Sequence, residues 1–151
     1  MPPLLLNRIL DLNMTGYLEP TQQSAMALFG RKIAGSVVML NLLRFREIAD
    51  YSCNPELAPA EAIGGAQAFD LYVEETMPHL LKSGGELLFM GAGGAFFIGP
   101  EEERWDRVML VRQTSVEAFI AFASNEAYLT SAIGHRTAAL EDSRLLPLTQ
   151  L

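Results

Sequence analysis

Cysteine and lysine are both scarce in this chain of 151 residues. Cys53 is the one cysteine. An intrachain disulfide is therefore excluded, and a thiolate metal site would have no second ligand of its kind. No basic residue stands beside Cys53, so nothing argues for an activated thiolate. Lysine occurs only at Lys32 and Lys82, and the arginines are scattered. Net charge is −7 and the pI is near 4.8. Nucleic acid and anionic membrane surfaces call for clustered cations, so neither is expected as a partner. No apolar run reaches the roughly 20 residues of a membrane helix. The segment Met1–Arg8 has no basic start, and Arg8 and Asp11 interrupt the apolar run there. It reads as a poor signal peptide, and a cytosolic location is expected.

Metal and cofactor signals are equally sparse. No spacing of His, Asp and Glu suggests a metal, and Glu74 and Glu75 are helical neighbours that point apart. Gly91-Ala92-Gly93-Gly94 invites comparison with a phosphate loop. A dinucleotide loop needs a third glycine and a following helix, whereas Phe96 and strand-like residues stand here. Glu101-Glu102-Glu103 reads as a solvated turn. The protein is expected to carry no metal and no cofactor, flavin and haem included.

Apolar residues are abundant. They make up 50% of the chain, and mean hydropathy is +0.18. The length suits one domain with a real core, and an apolar excess of this kind often ends in a subunit interface. Ser36 to Phe45 reads as a strand. Val37, Met39, Leu43 and Phe45 point one way, and Val38, Leu40 and Leu42 point the other. It is apolar on both faces, with a single amide, Asn41, in its middle.

The other elements follow from periodicity and caps. Leu4 to Met14 predicts a short helix ending at Thr15-Gly16. Thr21 is the expected N-cap of a second helix, with Ala25, Leu28 and Phe29 as its stripe and Gly30 or Gly35 as its stop. Arg46 to Ala58 reads as a polar loop. Pro59 to Lys82 is the longest expected helix, with Phe69, Tyr72, Val73, Thr76 and Leu80 on one face. Pro78 inside it predicts a kink or break, and Gly84 suits the left-handed position after it. Glu86 to Met90 reads as a strand that Gly91–Gly94 bend at a bulge before it continues through Ala95 to Ile98. Trp105 to Gln113 is a third strand, again apolar on both faces. Thr114 or Ser115 caps a helix burying Val116, Phe119, Ile120 and Phe122, and Ser124-Asn125 restarts one toward Leu140. Ser143 to Thr149 is the last strand.

The expected organisation is a helical extension over residues 1–35 and an α+β domain over residues 36–151. The order strand, helix, strand, strand, helix, strand is the βαββαβ arrangement of ferredoxin-like folds. Such a sheet carries helices on one face. Strands apolar on both faces therefore call for a second cover, and a second copy of the same sheet is the simplest. A homodimer is expected.

Several stretches resemble the small bacterial proteins classed as domain of unknown function 1330, in the dimeric α/β barrel superfamily. They are Met39–Phe45, Gly84-Gly85, Trp105-Asp106-Arg107-Val108, Thr114–Phe119, Asn125-Glu126-Ala127-Tyr128, Arg136 and Ala138–Ser143. The resemblance runs from about Val37 to the C-terminus. It implies a ferredoxin-like protomer and a dimer joined sheet to sheet, with no settled activity.

Four residues are candidates for a site. Asn41 would orient a ligand between sheet and helices, or else hydrogen-bond a loop or helix end, the commoner use of a buried amide. Tyr72 and His79 lie one heptad apart and could flank a pocket with His79 as acid or base; the plainer reading is a core tyrosine and a half-exposed histidine. Arg136 could hold a carboxylate or enolate, or pair with Glu141, Asp142 or an acidic residue elsewhere. Tyr128 reads as a packing residue with its hydroxyl at the surface. Three functions follow. The first is a small-molecule-binding dimer taking an apolar or aromatic ligand. The second is a cofactor-independent enzyme, monooxygenase- or isomerase-like, on an aromatic or polyketide-like substrate. The third is a structural or interaction module without ligand.

Overall fold

Residues 16–151 are described by the structure, a computed structural model. The proposed helix at 4–14 lies outside the described residues. The first described helix, α1 (Gln22–Gly30), starts where Thr21 accepts from the Ser24 N–H and the Ser24 hydroxyl accepts from the Thr21 N–H. The chain then forms β1 (Val37–Phe45), a single 3-10 turn at Pro55–Leu57, α2 (Gly65–Lys82), β2 (Glu86–Ala95) and β3 (Arg104–Gln113). Three short helices, α3 (Val116–Ala123), α4 (Glu126–Ser131) and α5 (Ile133–Ala139), lead into β4 (Leu140–Leu148). Ser115 caps α3 through the Ala118 N–H, and Asn125 caps α4 through the Tyr128 N–H.

The four strands form one antiparallel sheet in the order β2-β3-β1-β4. With helices after β1 and β3, this is the ferredoxin-like α+β fold. Alternation along β1 is strict: Val37, Met39, Asn41 and Leu43 are buried, and Val38, Leu40 and Leu42 between them are half-buried. The buried set faces the helices. Leu43 packs with Met109, Phe69, Tyr72, Tyr128 and Leu140 in the main core. Val37 and Met39 pack with Val116 in a smaller cluster that Leu28 of α1 joins.

Several details differ from the sequence expectation, among them that β2 ends at Ala95 and not at Ile98. The long helix begins at Gly65 and not at Pro59. A Cβ on Gly65 would stand 2.2 Å from the Arg46 carbonyl and 2.7 Å from that of Ala139, so the helix starts where a bare backbone fits under two chain crossings. Pro78 does not break α2, which runs on to Lys82. The carbonyl deprived of its donor belongs to Glu74, an exposed residue whose backbone water can serve. The bulge in β2 falls at Leu88, between Leu87 and Phe89 in the pairing with β3, and not at Gly91–Gly94. The glycines do something else: at Gly93 the Trp105 carbonyl would lie 2.3 Å from a Cβ, so the hairpin strands close tightly there. Finally, β4 starts at Leu140 and not at Ser143, because α5 passes into it without a loop.

The face of the sheet away from the helices carries Val38, Leu40, Leu42, Val108, Leu110 and Leu146, cross-strand neighbours in register. Among the described residues no helix packs on it. The five β1 and β3 members are only half-buried, and Leu146 is 54% exposed.

Candidate functional site

The helix-facing side of the sheet centre brings two phenols together. Tyr72 projects from α2 and Tyr128 from α4, and their hydroxyls lie 2.7 Å apart. They are 8% and 5% exposed. Phe69 flanks Tyr72 at 5.1 Å between ring centroids, and Phe122 flanks Tyr128 at 4.8 Å. Tyr128 is a correction to the sequence reading: its hydroxyl is buried and bonded, not at the surface. Both helices pack on the same sheet face, so inward aromatics from each meet over it.

The chemistry of this pair follows from counting. Two phenols bring two O–H donors. One donates to its neighbour, and among the described residues neither hydroxyl has another side-chain or backbone partner. One buried O–H hydrogen is therefore left over, a cost of about 1–3 kcal/mol unless an acceptor meets it. Burial, with the Tyr72 phenol beside it, pushes the Tyr128 hydroxyl well above the usual range for tyrosine, and Arg136 opposes this only in part. At neutral pH the Tyr128 phenol is a donor and not a base.

The four candidate residues occupy different places. Asn41 is buried on the same side of the sheet, opposite Met109 in register, and Met109 packs in the same core as the two tyrosines. Its amide donates to the Met39 carbonyl at 3.2 Å, a bond within its own strand. Arg136 donates to the Leu18 carbonyl at 2.7 Å and to the Ser143 hydroxyl at 3.3 Å. It pairs with neither Glu141 nor Asp142, the partners expected for it. Instead it ties the segment before α1 to the edge of the domain, while its charge is still felt at Tyr128. His79 lies one helical turn beyond Thr76, on the wall of an open cleft of about 200 Å³ with Lys82, Ser83, Ala121, Phe122 and Asn125. Hydrogen bonds connect none of these four to another.

A second polar cluster sits at the edge of the uncovered sheet face. Asp142 accepts from Arg44 at 2.8 Å and from Arg144 at 2.7 Å. The Trp105 ring lies under both guanidinium groups, at 5.3 and 5.0 Å, and Tyr17 faces Arg144 at 4.8 Å. Burial raises the Asp142 carboxyl, but the Tyr17 N–H, Arg144 and the Ser143 N–H outweigh it and hold the group below its ordinary value. A third contact joins the Tyr51 hydroxyl to His135 Nδ1 at 2.8 Å and holds the loop after β1 on α5. Burial lowers His135, with Glu75 opposing. Among the described residues no three His, Cys, Asp or Glu side chains gather as a metal site, and no helix is long and apolar enough to cross a membrane.

Two solved structures resemble the chain over most of its length. The crystal structure of methylated RPA0582 protein is 34% identical, with a TM-score of 0.78, covering 91% of this chain and 97% of that one. The crystal structure of RPA0582 from Rhodopseudomonas palustris, a protein of unknown function, is 34% identical with a TM-score of 0.75, covering 91% and 98%. No family model matches, that of domain of unknown function 1330 included. No curated protein matches either.

Proposed function

Since the chain belongs to the family of the RPA0582 protein, whose function is unknown, we propose from its own geometry that it is a homodimer whose protomers each bind a small apolar or aromatic molecule between sheet and helices. The motifs shared with domain of unknown function 1330 are part of the same proposal. The observation that carries it is the surplus O–H of the buried Tyr72–Tyr128 pair. A ligand with a carbonyl or other acceptor oxygen would take that hydrogen, and the surrounding Phe69, Phe122 and Met109 suit an apolar body. Asn41 would form part of the sheet-side floor, and Arg136 would add positive charge from α5. His79 would stand at the outer end of the same helix stripe. A donor pair with a raised phenol supports holding a ligand over abstracting a proton from it, which favours binding over the cofactor-independent enzyme.

An unbiased ligand screen by thermal shift tests this. Hits should bind the wild type and lose affinity in both Tyr72→Phe and Tyr128→Phe, with a smaller loss in Asn41→Leu. A remote change such as Glu102→Gln should leave them alone. Hits indifferent to both tyrosine changes would place the ligand elsewhere and defeat the proposal.

A further inference from the structure

We propose that the cleft between the last turn of α2 and the α3–α4 corner is the mouth of this site, and that it admits a one-ring aromatic carboxylate bearing an oxygen at the end of the ring away from the carboxylate. The inference rests on the binding site proposed above and names its ligand class. The cleft volume, about 200 Å³, suits one ring, since a cavity of ~150 Å³ accepts benzene. Its walls supply an ammonium from Lys82, an imidazole from His79, a hydroxyl from Ser83 and an amide from Asn125. Lys82 is one of only two lysines in the chain and makes no ion pair among the described residues. These groups suit an anion at the outer end.

Phe122 lines the cleft. The same ring lies on Tyr128 at 4.8 Å, so one half-buried side chain touches both the cleft and the phenol pair. An independent feature marks the same path along α2. Tyr72, Thr76 and His79 follow at spacings of four and three, which stacks them on one stripe of the helix. Thr76 is 7% exposed, and its hydroxyl oxygen has no hydrogen-bond partner among the described residues. Unused hydrogen-bonding capacity thus runs from the phenol pair through Thr76 to His79, at the cleft. A ligand that complements the path is negative outside, aromatic beside Phe122, and oxygen-bearing inside, where the surplus phenol O–H needs an acceptor.

Titration of the full chain, by calorimetry or by chemical-shift changes, with 4-hydroxybenzoate, benzoate and neutral 4-hydroxybenzyl alcohol tests the inference. 4-Hydroxybenzoate should saturate at one per chain. Lys82→Gln, at an exposed position, should weaken it about tenfold, the size of one charge-assisted hydrogen bond, and leave 4-hydroxybenzyl alcohol unchanged. Tyr72→Phe should weaken 4-hydroxybenzoate and spare benzoate. Absence of saturable binding by 4-hydroxybenzoate, or an equal loss for charged and neutral probes in Lys82→Gln, overturns the ligand class. An unrelated apolar compound whose binding Tyr72→Phe abolishes would also overturn that class, while leaving the phenol-pair site in place.

Discussion

Asp142 shows what one residue can do when four donors converge on it. Its carboxylate accepts from Arg44, Arg144 and the Tyr17 and Ser143 N–H groups. Its folded value lies below the unfolded one, so its stabilisation is fully present above about pH 4 and is lost as pH falls through the lower folded value. Thermal melts between about pH 2.5 and 7 should therefore show the wild type losing stability in acid. Asp142→Asn should melt lower than wild type at pH 7, because two arginines lose their carboxylate, and should show a flatter acid limb. Equal acid limbs would assign the acid sensitivity to other groups. The sequence offered Asp142 only as a neighbour for Arg136. Of the true partners, Arg144 lies two residues along the same strand, and Arg44 reaches it through strand pairing, standing opposite Asp142 in the β1–β4 register. Register is a property of paired strands and cannot be read from either alone.

Elements were legible where their signals are local. Thr21, Ser115 and Asn125 are capping residues whose bonds close within three positions, and each marks a helix start correctly. Gly84 takes the left-handed conformation, φ +84°, expected after the long helix. The start of α2 was not legible. Pro59 to Ile63 carries no signal against a helix strong enough to outweigh the periodicity after it. What delays α2 is the passage of the Arg46 and Ala139 backbones over Gly65. Gly65→Ala should therefore destabilise by about 1–3 kcal/mol through overpacking. Gly64→Ala, whose Cβ would find its nearest neighbour at 3.4 Å, should cost much less. Denaturant midpoints of the two variants check the contrast. Equal midpoints would mean the crossing relaxes freely.

At the scale of the molecule, the question is what covers the second face of the sheet. Leu40 and Leu110 are opposite one another on it, with Val38, Leu42, Val108 and Leu146 around them. A contiguous apolar sheet face of this kind resembles an interior cut open. Light scattering at micromolar concentration should find twice the 16.6 kDa mass of one chain. Leu40→Glu should give a monomer with unchanged far-ultraviolet circular dichroism, because a buried unpaired charge costs several kcal/mol at an interface and little on an open face. A monomeric wild type would remove the dimer from the proposal.

The sequence by itself determined the element order, the caps, the two-sided apolar strands and hence the ferredoxin-like arrangement. These depend on periods of two and 3.6 residues and on bonds spanning three or four. The tertiary structure decided which side chains meet. Tyr72 and Tyr128 are 56 residues apart, and Arg136 reaches Leu18 across 118. No pattern along a chain encodes such pairs, because they depend on how two helices sit side by side on one sheet and on how the leading segment passes its edge. The candidate site therefore changed its centre: Tyr72 remained, and its partner proved to be a second buried phenol.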